Sequence, residues 1–222
     1  MTDTIEPVDH PAKFSFPVLV ALGEILAARV GETGRVLDPF AGVGGIHTLK
    51  WDTVGVEIEP EWAAQHEATV VGDLTRLLDL FPGESFDAVV TSPAYGNRMA
   101  DRYAGDPSGT KRFTYRIALG RPLSGQNSGG MQWGAEYRAL HEAVWWQCRE
   151  VLRPGGWMIV NVSNHIRAGQ EQPVVEWHLS TLLALGFLMD EVRPVGTRRM
   201  RYGANGRLRV DSEKILVLRA PG

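Results

Sequence analysis

Apolar residues are distributed along this chain in two alternating patterns. Short, nearly continuous apolar runs at 35–38 (RVLD), 52–57 (DTVGVE), 68–71 (ATVV), 86–91 (FDAVVT), 156–162 (GWMIVNV), 188–195 (LMDEVRPV) and 213–219 (EKILVLR) predict strands. Between them, at 17–29, 60–66, 73–80, 136–152 and 171–185, apolar positions return every three or four residues, which predicts helices. Strands separated by helices join in parallel through crossovers, so the expected architecture is α/β, a mostly parallel central sheet with helices on both faces. The last two strands are joined by GTRRMRYGANGRLRVDS (196–212), which carries no helical pattern. A parallel return needs a crossover, so this pair is expected to be antiparallel.

One segment fits neither pattern. GNRMADRYAGDPSGTKRFTYRIALGRPLSGQNSGGMQWG (96–134) is too long and too polar for a simple connector, and it follows directly on a strand. It reads as a substrate-recognition insert within a single domain spanning 1–222, whose 44% apolar content is enough to bury a core.

Charge adds a second asymmetry. The formal net charge is −3, yet residues 96–121 carry six Lys and Arg against two acids, and residues 192–210 carry six Arg and no acid. The remaining 177 residues hold eleven basic and twenty-four acidic side chains. Two cationic segments on an otherwise acidic chain are either a docking surface for a polyanion or solvated Arg-rich loops.

Other residue types narrow the chemistry. Cys148 is the only cysteine and lies in a helical pattern, so an intrachain disulfide and a thiolate zinc cluster are both impossible. A reducing, cytoplasmic setting is expected. The six histidines show no paired ligand spacing, and no metal is expected. MTDTIEPVDHPAKF at the N-terminus lacks the apolar core of a secretion signal, and no later stretch reaches eighteen uninterrupted apolar residues, so no membrane association is expected.

Two motifs sit at strand ends. In RVLDPFAGVGG (35–45) an apolar strand ends in Asp38, and glycines then allow a tight turn where the backbone approaches a ligand closely. A dinucleotide fingerprint would have a third glycine where His47 stands, and a strand-end carboxylate suits a cationic or hydroxyl-bearing ligand better than a pyrophosphate. Glu57 ends the second strand, where an acid can hold a ribose diol or simply be solvated. Asp73 follows the third strand, placed to meet an adenine edge or to cap a helix. The other motif is TSPAYGNR (91–98), which sets a hydroxyl, a proline carbonyl and a ring within four residues after FDAVV; by itself it also reads as a strand-ending turn.

DPFAGVGG, with Asp38, Pro39, Phe40, Gly42 and Gly44, resembles the Asp-Pro-Phe-x-Gly-x-Gly cofactor loop of the class I S-adenosylmethionine-dependent methyltransferases. TSPAY resembles the Ser/Asp/Asn-Pro-Pro-Tyr/Phe loop of those members that methylate the exocyclic amine of cytosine or adenine in DNA. HPAKFS (10–15) is similar to the segment closing over the methionine end of the cofactor, and VLRPGGWMIV (151–160) to the helix, turn and fifth strand of the class. The resemblance implies a Rossmann-like methyltransferase fold that uses S-adenosylmethionine. It further implies cofactor contacts from Lys13, Phe14, Asp38, Pro39, Phe40, Gly42, Gly44, Glu57, Ile58, Asp73 and Leu74.

By the same resemblance, Ser92 Oγ and the Pro93 carbonyl accept the two amine N–H groups and turn the nitrogen lone pair toward the methyl group. That is catalysis by orientation and electrostatics, with no covalent nucleophile. Tyr95 would stack on a base rotated out of a DNA duplex. Arg98, Arg102, Lys111 and Arg112 in the insert, and Arg198, Arg199 and Arg201 in the C-terminal hairpin, are the candidates for phosphate contacts; Tyr103, Tyr115 and Trp133 are the candidates to stack or wedge. Ala94 departs from the family, which usually has a second proline there, and is expected to leave the neighbouring carbonyl and ring less constrained. The short GIHTLKW after the glycine turn leaves room for a truncated first helix at most. Two alternatives stay open: methylation of RNA or another amine on the same fold, and a non-catalytic nucleic-acid-binding protein that kept it.

Overall fold

The computed structural model describes residues 10, 12–96, 114–196, 208, 210 and 212–222. From the N-terminus run α1 (Phe16–Arg29), β1 (Arg35–Asp38), β2 (Asp52–Glu57), α2 (Pro60–Ala63), β3 (Thr69–Val71), α3 (Leu77–Leu80) and β4 (Phe86–Thr91). There follow α4 (Tyr115–Leu119), α5 (Ala135–Val151), β5 (Leu152–Val162), β6 (His165–Arg167), β7 (Gln170–Gln172), α6 (Val174–Ala184), β8 (Leu188–Gly196) and β9 (Ser212–Arg219). Seven strands form one sheet in the order β3-β2-β1-β4-β5-β9-β8. β1 to β5 pair in parallel, and β9 is antiparallel to both β5 and β8. The α/β architecture and the antiparallel C-terminal strand therefore agree with the expectation from the sequence.

Strict alternation along the central strands sends side chains to two separate cores. Leu37, Val89, Met158, Val160, Leu216 and Leu218 pack on one face against Leu77 of α3, Leu140, Val144, Trp145, Cys148 and Val151 of α5, and Val175 and Leu182 of α6. Their neighbours Val36, Ala88, Val90, Ile159, Ile215 and Val217 pack on the other face against Val18, Ala21, Leu22, Ile25 and Leu26 of α1. In α5 the buried positions 137, 140, 141, 144, 145, 148 and 151 keep helical spacing, so one stripe of that helix lies on the sheet.

Two expectations change. The stretch 171–185 is not one helix: Gln170–Gln172 pairs antiparallel with His165–Arg167, and the helix starts only at Val174. Pro173 disfavours helical backbone at Gln172, and Ala168 and Gly169, both with positive φ (50° and 75°), close the tight hairpin turn. Likewise 73–80 is a 3-10 turn, Leu74–Arg76, followed by the single helical turn of α3. The segment after the glycine turn holds only a 3-10 turn, Gly45–Thr48, in line with the truncated first helix expected there.

Candidate active site

The ends of β1, β2 and β4 meet around the glycine turn. Asp38 is fully buried, and its Oδ1 accepts hydrogen bonds from the Phe40 N–H (3.0 Å) and from the Thr91 hydroxyl (2.6 Å). The second bond joins the end of β1 to the last residue of β4, the first letter of TSPAY. Asp38 Oδ2 is buried with no partner among the described residues. Burial raises the Asp38 pKa to about 7, against the lowering effect of Thr91 and Phe40.

Glu57, at the end of β2, is tied to the same turn: its Oε2 accepts from the Gly42 N–H (3.0 Å) and its Oε1 from the Glu59 N–H (2.9 Å). Burial lifts its pKa to about 7 as well. Gly42 and Gly44 take the left-handed conformation (φ 53° and 80°), and a Cβ on Gly42 would lie 3.1 Å from the His10 ring. Phe14 packs in the same way against Gly45, so the His10 and Phe14 side chains lie against the turn. Lys13 is exposed, Pro39 is buried and Ile58 is half-buried. The Phe40 ring turns to the α5 side, stacking on His141 at 5.3 Å between centroids. Asp73 acts as a cap, its Oδ1 accepting from the Thr75 N–H and hydroxyl, and Leu74 is in the core.

The second half of the site is a polar cluster under TSPAY. Ser92 Oγ lies 3.1 Å from the Tyr95 hydroxyl, and Asn161 Nδ2 on β5 donates to Ser92 Oγ (3.2 Å), Tyr95 Oη (3.2 Å) and Glu213 Oε2 on β9 (2.7 Å). The Glu213 carboxylate accepts only, which fixes the orientation of the Asn161 amide. Tyr95 Oη is also 3.4 Å from Glu213. Pro93 is buried. The Ala94 carbonyl accepts from the Tyr137 hydroxyl at 2.6 Å, and the Gly96 carbonyl accepts from the Trp133 N–H at 2.9 Å.

Gly96 has φ 62°, and a Cβ there would fall 2.6 Å from the Trp133 nitrogen. Gly96→Ala therefore combines left-handed strain with a backbone collision, and it is expected to destabilise the fold by about 1–3 kcal/mol. Thermal unfolding checks this, and an unchanged midpoint would refute the close approach.

The described part of the insert is anchored on the residues that follow β2. Glu59, with no solvent exposure, accepts from Ser124 N–H (2.7 Å), Ser124 Oγ (3.0 Å) and Asn127 Nδ2 (2.9 Å), and pairs with Arg121 (2.8 Å). Arg121 also makes a bidentate pair with Glu61. Arg193 is similarly engaged by Glu191 and Glu24. These two members of the cationic segments are thus consumed locally. Tyr115, a candidate wedge, is instead buried beside Trp62 and His10. Trp133 is half-buried, packed on Tyr137 and Trp177. The phosphate candidates Arg98, Arg102, Lys111, Arg112, Arg198, Arg199 and Arg201, with Tyr103, lie outside the described residues.

Among the described residues no cluster of three His, Cys, Asp or Glu side chains could hold a metal ion, and no helix is long and apolar enough to cross a membrane. Burial drives the Cys148 thiol well above its ordinary pKa, which leaves it inert as a nucleophile. Thr91, Asn161, Glu213, Glu59 and Tyr137 escape the motif-based reading. Asn161 alone carries a sequence signal, an amide within the apolar run MIVNV.

No protein-family model matches the chain. A tRNA (guanine(10)-N2)-dimethyltransferase of Pyrococcus abyssi is 34% identical over 79 aligned residues, 29% of this chain and 24% of that protein, so the match spans about a quarter of the relative's length. A S-adenosylmethionine-dependent methyltransferase from Methanosarcina mazei superposes with a TM-score of 0.54 at 12% identity, covering 89% of this chain and 97% of the other. The 1,6-didemethyltoxoflavin-N1-methyltransferase of Burkholderia thailandensis, with bound 1,6-didemethyltoxoflavin and S-adenosylhomocysteine, superposes with a TM-score of 0.52 at 14% identity, covering 92% and 78%. With its strand order, its glycine turn after β1 and these superpositions, the chain has the Rossmann-like fold found in S-adenosylmethionine-dependent methyltransferases.

Proposed function

We propose that this protein transfers a methyl group from S-adenosylmethionine to the exocyclic amine of a nucleobase, cytosine N4 or adenine N6 of a base turned out of duplex DNA. The observation that carries the reading is the 2.6 Å bond between Thr91 Oγ1 and Asp38 Oδ1, which joins TSPAY to the glycine turn and makes amine loop and cofactor loop one unit. The donor set fits the cofactor: two buried carboxylates, one with an oxygen unpartnered among the described residues, suit an ammonium and a ribose diol, and the left-handed glycines leave backbone accessible. When bound, S-adenosylmethionine supplies an electrophilic sulfonium methyl.

The protein's own part is to orient the amine. A hydroxyl has two acceptor lone pairs, so Ser92 Oγ can take the Asn161 N–H and still accept one amine N–H, while the Pro93 carbonyl accepts the other. Neither group is a strong base. Together they would localise the nitrogen lone pair; the S–C bond would break as the N–C bond forms, leaving S-adenosylhomocysteine, and the cationic methylated amine would lose its proton to water.

A second reading, methylation of guanine N2 in RNA, is favoured by Glu213. Guanine's N2 amine is flanked by the N1–H donor, which suits a carboxylate; cytosine N3 and adenine N1 are acceptors, which do not. Glu213 lies within hydrogen-bonding reach of the Tyr95 hydroxyl and the Asn161 amide in this cluster, and the Pyrococcus relative is named for guanine N2 of tRNA. Transfer of labelled methyl to unmethylated duplex DNA and to tRNA, followed by nucleoside digestion, tests both. N4-methylcytosine or N6-methyladenine supports the first, N2-methylguanosine the second, and no label in either refutes the assignment.

The raised Glu57 pKa adds a pH signature. Diol hydroxyls and the Gly42 N–H both donate, so the ionised carboxylate is the binding form. Below about 7 Glu57 takes up a proton and cofactor affinity falls, with about tenfold of the fall from pH 8 to pH 6 due to Glu57 and the rest to Asp38, which has the same raised pKa. Calorimetry with S-adenosylhomocysteine reads this, and Glu57→Gln, which does not titrate, binds more weakly at pH 8 with a flatter profile. A flat wild-type profile would remove Glu57 from the cofactor site.

A further inference from the structure

We infer that Tyr137 is a positioning residue for the amine loop, its hydroxyl holding the Ala94 carbonyl through a buried, one-directional chain of donors from Trp145 and His178. This rests on the proposed amino-methyltransferase reading. Trp145 Nε1 lies 3.0 Å from His178 Nδ1, His178 Nε2 lies 3.0 Å from Tyr137 Oη, and Tyr137 Oη lies 2.6 Å from the Ala94 carbonyl. An indole N–H only donates, so His178 Nδ1 must accept and Nε2 must carry the ring proton. The imidazole therefore donates to Tyr137 Oη, and the only hydrogen left on the hydroxyl points at Ala94. Burial keeps His178 neutral, since it pushes the imidazole pKa well below its ordinary value.

The rest of the geometry makes this hydroxyl a fixed point. Tyr137, Trp145 and His178 have no solvent exposure, and the Tyr137 ring stacks on His141 at 3.9 Å, with Trp133 at 5.3 Å. Phenylalanine would fill the same space without a buried hydroxyl to satisfy, so three aligned, fully buried polar groups call for an explanation. Ala94 stands where related loops carry a second proline, and proline stiffens a loop through its fixed φ. Here the same loop is held by bonds instead: Tyr137 on the Ala94 carbonyl, Trp133 on the Gly96 carbonyl, and Asn161 on Ser92 and Tyr95. Tyr137 thus takes over part of the constraint that the missing ring would supply.

The test is a double-mutant cycle of Tyr137→Phe and Ala94→Pro in the full chain. Tyr137→Phe keeps the ring but loses the donor. It is expected to speed amide hydrogen exchange in the peptide spanning 93–96 of the free protein and to lower kcat on the order of 10-fold to 100-fold. S-adenosylhomocysteine affinity should change less than about twofold, because the cofactor turn is held by Asp38 and Glu57. In the Ala94→Pro background the same Tyr137→Phe change should cost less than about threefold in kcat, since the ring supplies the constraint. Unchanged exchange and kcat in Tyr137→Phe would overturn the inference, and so would an equal loss in both backgrounds. If Tyr137→Phe alone does not fold, the double variant is compared with Ala94→Pro: equal kcat supports the role, and a lower kcat at an unchanged thermal midpoint refutes it. Hydrogen exchange needs no substrate, so it still reads the role of Tyr137 if no nucleic acid is methylated, an outcome that would sink the proposed function alone.

Discussion

Ser92→Ala lowers methyl transfer by about 10²–10³-fold while S-adenosylhomocysteine affinity stays within about twofold of wild type. The expectation follows from what the hydroxyl contributes. In the proposed reaction it accepts one amine N–H at the moment the nitrogen's lone pair must be localised, and loss of one such preorganised contact has an effect of about this size. The fold should tolerate the change, because Asn161 Nδ2 keeps its 2.7 Å bond to Glu213 when Ser92 Oγ is gone. The cofactor side should be unaffected, because Asp38 is tied to Thr91 and not to Ser92. Labelled-methyl transfer and calorimetry on the same preparation separate the two effects. Activity within about tenfold of wild type would mean that Ser92 is not the acceptor, and Glu213, in the same cluster, would become the leading candidate.

Glu57→Ala is expected to weaken S-adenosylhomocysteine binding at least about 100-fold and to lower the thermal midpoint by several degrees. Both of its carboxylate oxygens accept from backbone N–H groups, Gly42 on the glycine turn and Glu59 at the entry to α2. Removing the acceptor leaves these donors buried and unpaired, at about 1–3 kcal/mol each. For a chain of this length each kcal/mol lowers the midpoint by roughly 2–4 °C. The binding loss has two sources, the ribose contact and the collapse of the turn that Glu57 holds. Loss of affinity with no change in midpoint would leave the ribose contact alone, and a retained affinity would exclude Glu57 from the site.

A pair of features links the glycine turn to the insert. Glu57 holds the Glu59 N–H, and the Glu59 carboxylate in turn grips Ser124, Asn127 and Arg121. A fully buried carboxylate is tolerated only when such donors surround it. Arg121, which falls within the first cationic segment, therefore serves the anchoring of the insert.

How much of this was legible beforehand depends on the range over which each feature is set. The strands were legible because alternate positions of 35–38, 86–91 and 156–162 must fill two opposite cores, and that demand leaves a period written in consecutive residues. The positions of Asp38, Glu57 and Ser92 were legible for a similar reason: Asp38 and Glu57 end strands, Ser92 directly follows one, and turn chemistry is local. The hairpin at 165–172, whose last two residues fell within the stretch 171–185 read as helical, was missed because its turn uses Ala168 and Gly169, without the Asn-Gly or Asp-Gly signal. Tyr115 looked like a residue to stack or wedge, and its burial beside Trp62, like the stacking of Phe40 on His141, depends on elements distant in the chain.

By itself, then, the sequence determined the alternation of strands and helices, the antiparallel last strand and the two motif loops at strand ends, all of them fixed by neighbours within a few residues. Only the tertiary structure decided that Thr91 reaches Asp38 across 53 positions, that Asn161 and Glu213 gather under Ser92 and Tyr95, and that Tyr137 meets the Ala94 carbonyl 43 positions away. The physical reason is that a buried polar group must find a partner wherever packing puts one. Register and helix docking choose that partner, and they leave no periodic trace in the chain.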